Sequence, residues 1–74
     1  MIENTTVVDV RGFEPPQPLV LILEALAKLA PGQELQAHTD RRPLHLEPLL
    51  HQRGCAWTIT EQDDGSFITN IRPS

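Results

Sequence analysis

The chain has one cysteine, one tryptophan, two phenylalanines and no tyrosine. A lone thiol excludes an internal disulfide and suits a reducing cytoplasm. Positive charge is scarce as well: six Lys and Arg stand against ten Asp and Glu, a net charge of −4. That balance argues against general binding to DNA or RNA, which needs several cations to neutralise phosphates, and no basic stripe with interleaved aromatics compensates. Neither Cys-x-x-Cys nor His-x-x-x-His occurs, so His38, His45 and His51 with Cys55 or Asp40 make a poor metal set, and we expect no metal and no cofactor. Strand alternation sends His38 to one face of a sheet, while His45 falls at the entrance of a helix and His51 forms an i,i+4 surface pair with Glu47. The glycines stand singly, so no phosphate-cradling loop is present. The apolar run Leu19 to Ala30 is too short and too interrupted to cross a bilayer, and Met1-Ile2-Glu3-Asn4 lacks the basic and apolar regions of a leader. These absences point to a cytoplasmic chain with no membrane partner.

A chain of 74 residues makes one domain, residues 1–74, with a small core: it buries only about 60% of the surface its unfolded form exposes. Seven prolines are distributed unevenly, and three of them crowd Asp9-Val10-Arg11-Gly12-Phe13-Glu14-Pro15-Pro16-Gln17-Pro18. Two of these fit the start of a helix, where an N–H is not needed and φ near −65° is already helical. Ahead of them, Thr5 to Val10 is β-branched and stops at Gly12, which predicts a strand. Behind them, Leu19, Ile22, Leu23, Leu26 and Ala30 recur at helical spacing and predict the core face of a helix ended by Pro31-Gly32. On that reading Leu21, Ala25 and Lys28 point away from the sheet, flanked by Val20, Glu24 and Ala27.

Glu34 to Thr39 alternates Leu35, Ala37 and Thr39 against Glu34, Gln36 and His38, a half-exposed strand. Leu46, Leu49 and Leu50 define a second helical face, with Pro48 in its first turn and Gly54 at its end. Ala56 to Glu61 alternates Trp57 and Ile59 against Thr58 and Thr60, and Asp64-Gly65 signals a hairpin into Ser66 to Ile71. The order β-α-β-α-β-β predicts an α/β two-layer sandwich, a four-stranded mixed sheet with two helices on one face, because neither helix stripe can otherwise be buried. The open face is expected to carry His38, Gln36, Thr58 and Thr60.

The stretch Asp9-x-Arg11-Gly12-x-x-Pro15-Pro16-x-Pro18-Leu19 resembles the opening of the TusA-like (SirA-like) sulfur-carrier family, whose first helix is entered through Cys-Pro-x-Pro. Pro16-Gln17-Pro18 match Pro-x-Pro, and Pro15 falls where the family has its cysteine. The variant Arg-Gly-Phe-Glu-Pro-Pro-Gln-Pro-Leu is more similar to a branch of small bacterial domains of unknown function with Glu-Pro-Pro-x-Pro. The likeness runs on through Pro31-Gly32, Asp40-Arg41-Arg42-Pro43 and Asp64-Gly65. It implies the same two-layer sandwich without the sulfur-carrying atom.

Ligands in α/β sheets sit beyond the carboxyl ends of parallel strands, so Asp9, Arg11 and Glu14 are expected to share that edge with Asp40, Arg41 and Arg42. The arginines are expected to pair there with Asp9, Asp40 and Glu14, and Glu14 to support the helix electrostatically. The favoured reading is a non-catalytic protein-interaction or regulatory module, not an enzyme, whose partner is another protein or a second copy. Its recognition surface comprises Arg11, Glu14, Pro15, Pro16, Pro18, Leu21, Arg41 and Arg42. One alternative is a divergent sulfur carrier using Cys55, although a thiol after the C-terminus of helix two faces the negative end of the dipole. Another is a small-anion sensor built on Arg11, Arg41 and Arg42.

Overall fold

The computed structural model describes residues 5–73, so the reading of Met1 to Asn4 lies outside the described residues. Four strands and two helices follow one another: β1 (Thr5–Asp9), α1 (Gln17–Ala27), β2 (Glu34–Thr39), α2 (Leu46–Gln52), β3 (Ala56–Glu61) and β4 (Phe67–Arg72). The sheet order is β1-β2-β4-β3. β1 runs parallel to β2, with Val8 beside Ala37 and Asp9 beside His38. β4 is antiparallel to both its neighbours, Thr69 facing Ala37 on one side and Ile59 on the other.

Alternation along β2 is complete: Leu35, Ala37 and Thr39 are buried, while Glu34, Gln36 and His38 are only half-buried. Leu35, Ala37, Ile71 and Val10 from one sheet face meet Ile22 and Leu26 of α1 and Leu46 and Leu50 of α2 in a single core, so both helices cover that face. Each of the larger aliphatic side chains there contributes about 1.5–3 kcal/mol by leaving water. The other face carries Val7, Asp9, Gln36, His38, Asn70, Thr58 and Thr60, as strand parity dictates. No helix among the described residues is long and apolar enough to cross a membrane.

The helix ends follow local chemistry. Pro16 is the N-cap of α1 and Pro18 sits in its first turn, where prolines lack nothing the helix needs. No side chain caps this end by a hydrogen bond; the Glu14 carbonyl accepts the Gln17 N–H at 2.9 Å. α1 stops at Ala27, a turn before Pro31-Gly32, when the Lys28 N–H turns back to the Ala25 carbonyl. α2 ends in a left-handed glycine: Gly54 has φ +71°, its N–H bonds the His51 carbonyl, and Cys55 N–H bonds the Leu50 carbonyl. This paired closure satisfies carbonyls that the helix leaves free.

Two expectations are corrected. Leu21 and Ala25 do not point outward; both are half-buried and pack against the core together with Leu19, Leu23 and Leu29, because the helix buries a stripe wider than the one expected. Gln17, Val20, Glu24 and Ala27 are the exposed residues of α1, and Lys28 just after it is exposed too. Glu47 does not pair with His51. Its carboxylate turns toward β3, accepting the Trp57 Nε1–H at 3.4 Å and lying 3.7 Å from Arg42 Nε.

Candidate cleft between the two strand-to-helix turns

Both parallel strands end at the same edge of the sheet, and each is followed by a turn into a helix. Between the turns lies a cleft of about 1090 Å³, with Val10, Leu19, Ile22 and Leu46 at its base. The β1–α1 turn contributes Phe13, Glu14, Pro15, Pro16 and Pro18, and the β2–α2 turn contributes Arg41, Arg42, Leu44 and His45. Phe13 is 49% exposed and Leu44 64%, which makes them among the largest apolar groups left in water. They come one from each wall.

Hydrogen bonds hold the walls. Asp40 Oδ2 accepts the Gly12 N–H at 2.6 Å, tying one turn to the other. Thr39, almost fully buried, donates its hydroxyl to the Arg41 carbonyl at 2.7 Å and so shapes the second turn from within. Asp40 is thereby engaged with main chain rather than with an arginine. Arg42 reaches Glu47 only at 3.7 Å, and Arg41 makes no ion pair among the described residues.

Arg11 departs from its expected place. Val8 and Val10 turn inward, so Asp9 and Arg11, one residue out of phase, turn to the open face. Arg11 NH2 lies 2.8 Å from Asp9 Oδ2 and its NH1 3.8 Å from Asp64 Oδ2. The pairing of Arg11 with Asp9 is as expected, but Arg11 lies outside the cleft that Arg41 and Arg42 line. The Arg11 side chain and main-chain N–H both donate to Asp9, which lowers its pKa to about 2, and the same carboxylate raises that of Arg11. Nearby, His38 Nε2 and Ser66 Oγ are 2.7 Å apart, and Ser66 donates through hydroxyl and N–H to Asp64 Oδ1 at 2.6 and 2.9 Å, holding the Asp64 carboxyl below the usual range.

Of the predicted surface, the structure brings Glu14, Pro15, Pro16, Pro18, Arg41 and Arg42 into one cleft and leaves Arg11 and Leu21 out of it. It adds Phe13, Leu44 and His45. A signal for two of these existed: Phe13 is an aromatic set in a turn, and Leu44 falls outside the 46/49/50 helical stripe, so neither had an expected apolar neighbour.

Residues 7–73 match the family described as an uncharacterized conserved protein, DUF2249. The chain belongs to that family. Its fold is SirA-like: it superposes on the crystal structure of a SirA-like protein from Desulfitobacterium hafniense with a TM-score of 0.80, at 22% identity, over 89% of this chain and 93% of that one. No curated protein matches the sequence. In this DUF2249 chain Pro15, at the position resembling the carrier family's cysteine, lines the cleft. Cys55, half-buried, closes α2 at the other end of the sheet, next to Ala56, which faces Arg72. With six residues in β2 and β3, strand rise puts that end roughly 20 Å from the cleft.

Proposed function

We propose that this DUF2249 domain is a non-catalytic recognition module that docks a partner protein in the cleft between its two strand-to-helix turns. The partner segment presents an apolar side chain between Phe13 and Leu44 and an acidic group to Arg41 and Arg42. The observation that carries this reading is the pairing of exposed apolar groups on both walls with an arginine that has no ion-pair partner among the described residues. Apolar contact without water supplies affinity, and the charge beside it supplies orientation. The placement of Cys55 away from the cleft, after a helix C-terminus, supports this reading over a sulfur carrier.

Affinity capture from the source organism tests it, with partners identified by mass spectrometry and binding remeasured with the purified partner. Wild type retains a partner; Leu44→Asp abolishes binding and Arg41→Ala weakens it with reduced salt sensitivity. Undiminished binding by Leu44→Asp overturns the cleft as the docking site. Extra sulfur mass on Cys55, removable by reductant and lost in Cys55→Ala, would replace the recognition reading with the carrier one.

A further inference from the structure

β1 is one of the two edge strands, with β3 the other; it is hydrogen-bonded to β2 on one side and pairs with no strand on the other among the described residues. Natural sheets guard such edges with Lys, Pro, bulges or a covering segment, because unpaired N–H and C=O groups template another strand. Thr5-Thr6-Val7-Val8-Asp9 has neither Lys nor Pro, its one charge is Asp9, and Val7 is 64% exposed. Asp9 is in turn neutralised by Arg11 at 2.8 Å.

The free groups can be assigned. Val10 N–H donates to the His38 carbonyl at 2.9 Å, and along a strand successive residues turn their main-chain groups to opposite sides. Val8 and Thr6 therefore face β2, and Thr5, Val7 and Asp9 present theirs outward. That outward row is symmetric about Val7.

We propose that β1 pairs antiparallel with β1 of a second copy, about a two-fold axis through Val7, to give a continuous eight-stranded sheet. Val7 then exchanges both main-chain bonds with Val7 of the other copy, and Thr5 exchanges both with Asp9 at each end, so all the outward groups are satisfied. Side chains agree with this register. Val7 meets its own copy on the open face, Thr6 meets Val8 on the helix face, and Asp9 faces a neutral Thr5, so no like charges oppose each other. A two-fold axis perpendicular to the sheet keeps all helices on one side, and an isologous contact closes instead of propagating. The contact is smaller than the roughly 20–30 residues a side of a standard interface, which makes the dimer concentration dependent. It leaves the cleft free and stands independently of the recognition reading.

Sedimentation velocity over a concentration series, with amide exchange followed by NMR, decides the matter. The expected result is a wild-type mass rising from one chain toward two, with protection of the Val7 amide increasing in step. Val7→Lys, which puts like charges on the axis at an exposed position, remains a monomer at every concentration, and Leu44→Lys dimerises as wild type does. A wild type that stays monomeric throughout overturns the proposal. So does a dimer whose Val7 amide exchanges freely, or one that Val7→Lys leaves intact.

Discussion

Thr69 offers the sharpest test of the core. It lies in the middle of β4 between Ala37 and Ile59, on the face covered by the helices, fully buried, and its Oγ1 has no hydrogen-bond partner among the described residues. A buried hydroxyl that gives up water without a replacement costs about 1–3 kcal/mol. Thr69→Val keeps the branched shape and the strand preference while deleting that cost, so the variant is expected to be more stable by about 1–3 kcal/mol. With unfolding entropy near 2.1 cal/mol/K per residue, a 74-residue chain gains about 6 °C in Tm per kcal/mol, or roughly 6–18 °C here. Thr69→Ser is the counterpart: it keeps the hydroxyl, loses the methyl and is destabilised by about 1 kcal/mol. Thermal melts and urea titrations followed by circular dichroism, with an unchanged m value, give the order Val above Thr above Ser. A Thr69→Val chain no more stable than wild type would refute the reasoning, since the hydroxyl would then be making a bond worth its desolvation.

Other predictions concern the turns and the open face. Asp40→Ala removes the acceptor for Gly12 N–H and is expected to cost about 0.5–1.5 kcal/mol in urea unfolding, with faster exchange of the Gly12 amide, while Asp40→Asn restores most of both. Gly54→Ala forces a side chain into φ +71° and is expected to lower stability by about 1–2 kcal/mol, read as a lower urea midpoint. Asp9 is expected to titrate near pH 2, and its contribution to stability is intact above the ordinary carboxyl value of 3.8 and lost as pH falls through about 2. NMR titration checks this: in Arg11→Ala the Asp9 carboxyl returns toward 3.8, and a carboxyl unmoved by that substitution would break the link to Arg11.

The order of elements was legible because each carries its own local signal. Period-two alternation in Glu34 to Thr39, the proline entry to α1 and the glycine after α2 act within a few residues, where sequence separation imposes no cost. The same parity also held the destination of Arg11, since Val8 and Val10 could face the core only by sending Asp9 and Arg11 outward. Its partnership with Asp64 was not legible, because that carboxylate lies 53 residues further along the chain and is brought there by the hairpin after β3. Leu21 misled for a different reason: an amphipathic stripe has a width set by what packs over it, and helical spacing alone does not report it. Likewise Phe13 and Leu44 came to line one cleft only because two turns distant in sequence are set side by side. Sequence by itself determined which segments are strands and helices, since backbone preference and side-chain periodicity are local. Tertiary structure decided that β4 enters between β2 and β3, leaving β1 and β3 as the edges of the described sheet and opening the cleft beyond the parallel strands. Those features depend on contacts between distant segments, which no local pattern encodes.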